Sequence, residues 1–576
     1  MSAWNTSNMT AALPEVPANG AETVTGPGKV GDQVAQWVPK TENNYDTTDL
    51  NVEWDSEVKI YHWDGEEGEL GPEHPELEAK LFGNPDHRDP QGLNFEAISH
   101  IEVKQEGVSR IEPIEKFQDA GLHPAMMRNV ELMGYKTPTP IQKYCIPAIK
   151  MGLDVLAIAQ TGSGKTAAYL IPILHHLTGK AKKLTAPRPS AENIATGTRV
   201  RAEPLVVIVV PSRELAVQIF NEARKFCYRT MLRPCVIYGG APLRTQIDNI
   251  AQGCDILVAS PGRLIDMIER PNILSLRRVK YMVIDEADEM LDSSWEEDFA
   301  KILGGGEQEE GNVKYMLFSA TFPSPVRRLA KRILAEDHLR IKVGRIGSTH
   351  GNIKQDVIYV EPHNKKRALV DLLKSMPPVR TIIFVNGKRT ADELDDFLYH
   401  LDFPCTSMHA DRTQREREDA MRAFRNGVTP LLVATGLTAR GIDVRNVMHV
   451  VNFDLPSMDH GGIEEYTHRI GRTGRIGHRG LATSFYCEHD EPIANLLTMT
   501  LMETGQDIPD FLSQYKPEET DVTKLKFESD EEEEGNDGNG DVVGEAGGGL
   551  GGDTAGVATD VAPTGGDAWG KPAPNW

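Results

Sequence analysis

Val283-Ile284-Asp285-Glu286-Ala287-Asp288 is the stretch on which the reading of this chain turns. The apolar run 281–284 suits a buried strand, and it runs straight into carboxylates at 285, 286 and 288. Neighbouring side chains diverge at a strand end, so Asp285 can face a metal ion while Glu286 reaches a water. Two acids at a helix N-terminus would look the same locally, so the tetrad needs a partner. It has one about 120 residues upstream, in Ala159-Gln160-Thr161-Gly162-Ser163-Gly164-Lys165-Thr166. That loop follows the apolar run Val155–Ile158 and precedes a helix-like stretch, Ala167–Leu177. In a strand–loop–helix context such a loop cradles phosphate oxygens with backbone N–H groups. Lys165 would neutralise them and the Thr166 hydroxyl would ligate Mg²⁺. Ala159 replaces the first Gly of the general pattern. Together the two stretches imply nucleoside triphosphate hydrolysis, with Mg²⁺ as the expected metal.

The formal charge of −23 at first argues against a nucleic-acid partner. The charge is unevenly placed, however. Residues 1–110 net −14 and residues 517–576 net −12, which leaves +3 on the 406-residue middle, 111–516. The middle is therefore free to present basic surface to phosphates. The six cysteines, at 145, 227, 235, 254, 405 and 487, include no CxxC pair, which fits a reducing, cytoplasmic setting. The N-terminus carries neither a basic n-region nor an apolar h-region, so no signal peptide is expected. The longest apolar runs, such as Leu205–Val210, are too short to cross a bilayer, and no membrane partner is expected.

Between 111 and 516 lie short runs rich in Val and Ile: 205–210, 256–259, 281–284, 315–318, 381–385, 431–434, 448–453 and 481–486. Each is apolar throughout instead of alternating, as befits central strands of a parallel sheet covered on both faces. The intervals accommodate crossover helices. The expected architecture is α/β, with two tandem domains, each a parallel sheet covered by helices, dividing near Gly344–Gln355. The expected layout is an acidic N-terminal region without a packed fold (1–80), an extension of the core (81–110), a first domain (111–347), a second domain (348–516) and an acidic Gly-rich tail (517–576). Residues 178–203 read as a polar insertion, a solvated loop or an extra phosphate contact through Lys180, Lys182, Lys183, Arg188, Arg199 and Arg201.

Further motifs extend the pattern. Phe117 precedes Gly134-Tyr135 and Pro138-Thr139-Pro140-Ile141-Gln142. Pro211-Ser212-Arg213-Glu214-Leu215-Ala216, Gly239-Gly240, Ser260-Pro261-Gly262-Arg263 and Ser319-Ala320-Thr321 complete the first half. In the second half stand Ile382–Val385, Gln414 with Arg417, Ala434-Thr435, Ala439-Arg440-Gly441-Ile442-Asp443 and His468-Arg469-Ile470-Gly471-Arg472-Thr473-Gly474-Arg475. In this order, over about 400 residues, the chain resembles a DEAD-box RNA helicase with RecA-like domains. Ser212 and Ser260 stand where Thr is usual, and Gly436 where many members carry Asp, although members close to Vasa often have a small residue there. Leu81-Phe82, Gly92-Leu93-Asn94-Phe95, Ile101, Val103 and Gly107 are similar to the segment before the core in Vasa-like helicases and their translation-initiation relatives.

The resemblance implies roles residue by residue. Gln142 would read the adenine edge with its amide, Phe117 would stack on the ring, and Tyr135 belongs with them. Thr161, Gly162, Ser163, Gly164, Lys165 and Thr166 would hold phosphates, and Gly441 and Asp443 the ribose side. Asp285 and Thr166 would bind Mg²⁺, partly through water, and Glu286 would orient or deprotonate the attacking water. Arg472 and Arg475 would reach the γ-phosphate from the second domain. Asp288, Ser319, Thr321 and His468 would couple the ATP site to RNA, with a structural histidine as the alternative at 468. Pro211, Ser212, Arg213, Gly240, Pro261, Gly262, Arg263, Arg417 and Thr435 would meet the RNA backbone, a contact largely independent of sequence.

The expected activity is ATP-dependent separation of short RNA duplexes or remodelling of RNA–protein complexes. The alternative is an RNA-clamping scaffold with slow ATP hydrolysis. A monomer is expected, in the cytoplasm, in RNA granules or shuttling to the nucleus. Of seven tryptophans, only Trp295 falls within 111–516, and the others lie in the acidic flanks as candidate anchors for protein partners.

Overall fold

The computed structural model describes Trp37 and residues 71–83, 101–160, 162–178, 180, 184, 186–196, 198–290, 295–304, 313–344, 352–436, 444, 447–474 and 479–517. The chain divides into two units, Met1–Ser529 and Asp530–Trp576, and the second lies wholly outside the described residues. The first unit holds two sheets. The eight-stranded sheet contains β1 (Val103–Glu106), β2 (Val155–Ile158), β3 (Val206–Val209), β4 (Pro234–Ile237), β5 (Ile256–Ala259), β6 (Tyr281–Ile284), β7 (Lys314–Ser319) and β8 (Leu339–Val343). Their order across the sheet is β1-β8-β2-β7-β6-β3-β5-β4. The six-stranded sheet contains β9 (Ile353–Tyr359), β10 (Thr381–Val385), β11 (Cys405–Met408), β12 (Leu431–Thr435), β13 (His449–Asn452) and β14 (Gly480–Tyr486), in the order β11-β12-β10-β13-β14-β9. Every pairing is parallel except β1 with β8.

The physical reason for the unbroken apolar runs is visible in β3. Val206 and Ile208 belong to one core cluster and Val207 and Val209 to another, so both faces of the strand are covered. In β10, Ile383 and Val385 face one cluster while Ile382 and Phe384 face its opposite. Each such side chain contributes about 1.5–3 kcal/mol on burial. All eight expected runs are strands. Of the strands that sequence reading passed over, β8 and β9 alternate buried and partly exposed residues and β1 buries none fully, whereas β4 and β11 are edge strands with mostly buried residues but short, mixed sequences, Pro234–Ile237 and Cys405–Met408.

Packing corrects the expected N-terminal region in one respect. Strand β1 lies in the expected extension of the core, 81–110, and pairs with β8 from Val103↔Val343 to Glu106↔Arg340. Residues 71–83, most of them expected to lack a packed fold, dock on the first domain. Gly71 N–H donates to Arg229 O at 3.0 Å, Arg229 Nε returns a bond to Gly71 O at 2.7 Å, and Phe82 meets Tyr228 edge-on at 5.7 Å. Arg229 adopts a left-handed backbone, φ 59°, to serve this contact.

The 178–203 segment is corrected too. It contains the helix Ala191–Thr196, and its described arginines are spent on acids of their own domain. Arg188 pairs with buried Asp255, Arg199 Nε donates to Asp248 at 2.7 Å, and Arg201 pairs with Glu203. Lys182 and Lys183 lie outside the described residues.

Candidate active site and nucleic-acid interface

Because β2, β7 and β6 are neighbours, their carboxyl ends bring the 159–166 loop, Ser319 and Asp285 side by side. Ala159 N–H donates to Ser319 O at 3.0 Å, and Asp285 N–H to Val209 O at 3.1 Å. Gly162 and Gly164 have φ of 79° and 88°, the conformation in which successive N–H groups form an anion-binding concavity. A Cβ on Gly164 would also lie 2.5 Å from Gln142 Nε2, so no side chain fits there. Lys165 is buried, and its ammonium donates to Ala159 O at 2.9 Å, which folds it over the loop it serves. Thr166 opens the helix Lys165–Thr178, one turn before Tyr169. Thr161 lies outside the described residues.

Asp285 and Glu286 are both buried at the end of β6. Asp285 Oδ2 accepts from Tyr169 OH at 3.0 Å, and its Oδ1 accepts from Glu286 N–H at 3.0 Å. Burial raises the Asp285 pKa, with Lys165 the strongest opposing influence. Glu286 sits at φ 52°, a left-handed backbone that typically costs a non-glycine residue about 1–3 kcal/mol and is found at functional sites. Burial, then Glu289, lift its pKa to about 7, against the pull of Arg472. Its Oε2 and Ser163 Oγ are buried without a hydrogen-bond partner among the described residues. These orphan oxygens, the glycine concavity and the buried carboxylates fit a hydrated Mg²⁺–nucleotide. No cluster of three or more His, Cys, Asp or Glu that could hold a metal occurs among the described residues. Mg²⁺ is commonly held by one or two carboxylates together with phosphate oxygens and water.

The residues expected to couple the ATP site to RNA converge. Asp288 Oδ2 accepts from Thr321 N at 2.8 Å, Thr321 Oγ1 at 2.9 Å and Ala320 N at 3.2 Å, while Asp288 N–H donates to Ser319 Oγ at 3.3 Å. From the second domain, His468 Nδ1 comes to 2.9 Å from Glu289 Oε1, and its Nε2 to 3.8 Å from Asp288 Oδ2. Arg472 is buried two residues beyond the helix Gly462–Ile470, its Nε donating to His468 O at 3.0 Å, and its charge acts on Glu286. Glu286 and the second-domain cation Arg472 therefore share one buried cluster. Arg475, Gly441 and Asp443 lie outside the described residues.

The histidine supplies a pH dependence. Burial lowers the His468 pKa, but Glu289, then Asp288 and Glu465, outweigh it and lift it to about 9. An exposed histidine titrates near 6.5, so the charged contact adds its full stabilisation of the joined domains below about pH 6.5. That stabilisation declines above this pH and is lost as pH rises through about 9. RNA-stimulated turnover of the unaltered chain should therefore need more RNA at pH 9 than at pH 7, and His468→Gln should flatten that trend. A slope that survives His468→Gln would assign the effect to another group.

On the base side, Gln142 Oε1 accepts from Thr139 N–H at 3.0 Å and its Nε2 donates to Gly164 O at 3.1 Å. An amide retains a second lone pair and a second N–H, so one acceptor and one donor remain for a base edge. Phe117 departs from expectation. It is 1% exposed and packs in the core, with Tyr135 stacked beside it at 6.3 Å, so its face is not open to a nucleobase in this conformation. Half-buried Tyr135 is the more open of the two rings.

The expected RNA contacts lie at the carboxyl ends of β3, β5 and β4, which are adjacent. Pro211 and Ser212 follow β3, and Ser212 Oγ caps the helix Arg213–Phe226 by accepting from Leu215 N–H at 3.2 Å. Pro261 and Gly262 open the helix Pro261–Ile268, and the Arg263 guanidinium donates to Ala241 O at 3.3 Å. Gly240, φ 85°, lies under Arg213, and a Cβ there would come 2.4 Å from its Nη1. Thr435 ends β12 on the other domain.

The two arginines are less open than a phosphate contact requires. Arg213 Nη1 donates to Gln414 Oε1 at 3.0 Å, and Arg417 pairs with Glu214 at 2.6 Å with both side chains 10% exposed. Arg417 therefore joins the two domains in this conformation. Tyr238 OH adds a bond to Glu418 at 3.3 Å. Removing one partner of a desolvated pair costs about 2–5 kcal/mol, largely by stranding the other charge. Glu214→Gln is accordingly expected to raise the RNA concentration for half-maximal ATPase stimulation by at least about 10-fold. Adding Arg417→Met should recover part of that loss, and purely additive losses would show that the pair is not coupled.

Sequence reading places Glu214 within the Pro211–Ala216 motif without giving it a role and misses Glu289, because an acid in a helix or turn shows no pairing until the other domain supplies its cation. Arg469, within the His468–Arg475 motif, is likewise given no role by the sequence. That residue donates from Nε to Glu465 at 2.9 Å, from Nη1 to Asp454 O at 2.8 Å and from Nη2 to Asn386 Oδ1 at 3.0 Å. Glu465 also explains Gly436: a Cβ there would lie 2.1 Å from Glu465 Oε1.

Comparison with known proteins agrees with this geometry. The DEAD/DEAH box helicase domain matches residues 139–329 and the helicase conserved C-terminal domain matches residues 364–477, together more than half of the chain. The chain is similar to S. cerevisiae Dbp5 bound to RNA and ADP BeF3, with 27% identity over 69% of this chain and 95% of that one, TM-score 0.58. It is similar to Mss116p bound to ssRNA and AMP-PNP, with 28% identity over 70% and 79% of the two chains, TM-score 0.57. A Dbp5 variant bound to Gle1 and IP6 aligns at 28% identity over 67% and 92%, TM-score 0.53.

Proposed function

The chain belongs to the DEAD/DEAH box helicase family and is an ATP-hydrolysing RNA helicase, and on that premise we propose how its own residues divide the work. Lys165, the Gly162–Gly164 backbone and Thr166 hold the phosphates, and Glu286 takes the proton of the attacking water. Asp285 and Thr166 would hold Mg²⁺, which would supply charge neutralisation at the phosphates. Gln142 reads the base edge with its free donor and acceptor. Arg472 acts on the transferring phosphate from the second domain, and by their places in the motifs Arg475 would share that role while Asp443 and Gly441 would serve the ribose side. RNA lies along Pro211, Ser212, Arg213, Gly240, Pro261, Gly262, Arg263 and Thr435, with Arg417 positioned by Glu214.

The observation that carries this reading is the buried cluster in which His468 and Arg472 of one domain meet Glu289, Asp288 and Glu286 of the other. ATP and RNA each favour the joined arrangement, so each tightens the other. The test is to measure ATP hydrolysis and short-duplex separation with and without RNA. RNA-stimulated turnover together with strand separation supports a helicase cycle. Slow, RNA-indifferent turnover with long-lived RNA binding would support the clamping scaffold.

Finer points of the reading are also proposals. Within the family we place the chain nearest the Vasa-like group, on the segment before the core and the side-chain-free position 436 in contact with Glu465. We propose a reducing, cytoplasmic setting, for which six free, buried cysteines are suited, and a monomeric chain, checked by light scattering. The acidic, tryptophan-bearing flanks are proposed to recruit protein partners. Among the structures compared, a Dbp5 variant is bound to Gle1 and IP6.

A further inference from the structure

Trp37 lies far from the core in sequence, yet it sits on the second domain. Its indole N–H donates to Leu373 O at 3.0 Å. Its ring meets Phe403 edge-on, with centroids 5.8 Å apart and planes at 64°. It is half-buried against the cluster that contains Leu373 and Phe403.

The acceptor it uses has a specific origin. Leu373 lies in the last turn of the helix Lys365–Ser375, where a carbonyl looks to the N–H four residues on. That residue is Pro377, and Pro378 follows, so neither has an N–H to give. Met376 leaves the helix in an extended conformation, φ −118° and ψ 151°, instead of the left-handed turn that would fold a later N–H back onto the helix end. The Ser375 hydroxyl goes to Leu372 O, at 2.7 Å. The sequence has thus made an acceptor that its own backbone cannot satisfy and set it beside an aromatic edge. An indole combines one N–H donor with a large apolar ring and matches both requirements.

We propose that this corner of the second domain, between Leu373 and Phe403, is a docking site for a tryptophan-bearing segment, and that its resident occupant is the chain's own Trp37. One hydrogen bond and one edge-on ring contact are together worth about a 10- to 100-fold factor in affinity. Such an occupant, held at the effective concentration of a tethered segment, is displaceable. Trp37 therefore sets the threshold that any partner using the same chemistry must exceed.

The test uses the full chain and a fluorescent peptide of residues 31–43, followed by anisotropy. The peptide should bind the Trp37→Ala chain saturably and the unaltered chain at least about 10-fold more weakly, because there the site is filled in cis. Pro377→Ala, added to Trp37→Ala, restores a backbone N–H at 377 and should weaken peptide binding about 3- to 10-fold. A peptide carrying Ala in place of Trp37 should fail on every chain. Equal binding to the Trp37→Ala and unaltered chains, or binding to neither, would overturn the proposal. Indifference to Pro377→Ala would overturn the role of the Leu373 carbonyl. Basal ATP hydrolysis, read in parallel, should be the same in all three chains.

Discussion

Glu286→Gln should reduce ATP turnover by about 10²–10⁴-fold, the contribution of a positioned base, while leaving ATP and RNA binding in place. The carboxylate is buried at the end of β6 in a left-handed backbone held by the Glu286 N–H bond to Asp285. Burial and Glu289 raise its pKa to about 7, where a base is still largely able to accept a proton at physiological pH. Gln keeps the shape and removes the charge. It also relieves the crowding with Glu289, so folding should not suffer and the melting temperature should not fall. The decisive measurement is single-turnover hydrolysis with RNA saturating. Turnover within a few-fold of the unaltered chain would remove Glu286 from the chemistry.

Arg472→Ala should lower RNA-stimulated hydrolysis by about 10³-fold or more, the effect of losing an arginine that neutralises charge developing on a transferring phosphate. Arg472 is buried, fixed by its bond to His468 O, and close enough to Glu286 for its charge to act on that carboxyl. Arg472→Lys should recover little, because a point charge lacks the planar fork. The same logic predicts that residues 1–347 alone bind nucleotide weakly and do not respond to RNA, since half of the cluster comes from the second domain. RNA-stimulated hydrolysis by that fragment, or wild-type rates for Arg472→Ala, would show that the first domain is catalytically complete. The two substitutions should also differ in character. Glu286→Gln removes a proton acceptor and leaves the domain contact, whereas Arg472→Ala removes a cation from the contact itself and should weaken the coupling of ATP to RNA.

The sequence by itself determined everything that follows from local period and motif spacing. Central strands such as β3 and β10 are legible because both faces are buried and every residue is apolar. The phosphate loop and the tetrad are legible because strand ends and glycine turns confine their chemistry to a few consecutive residues. What only the tertiary structure decided is whatever depends on which surfaces meet. The partly wet strands β1, β8 and β9 carry no continuous pattern, so β1 joined the first sheet only through pairing with β8. The arginines of 178–203 read as loose basic charge until the fold brought Asp248, Asp255 and Glu203 to them. Phe117 reads as a ring for a nucleobase, yet its neighbours closed both its faces. Glu214 with Arg417, and Glu289 with His468, lie 203 and 179 residues apart in the chain. Burial of a charge is stabilising only when its counter-charge arrives with it, and that arrival is a property of two packed domains, which no local stretch encodes.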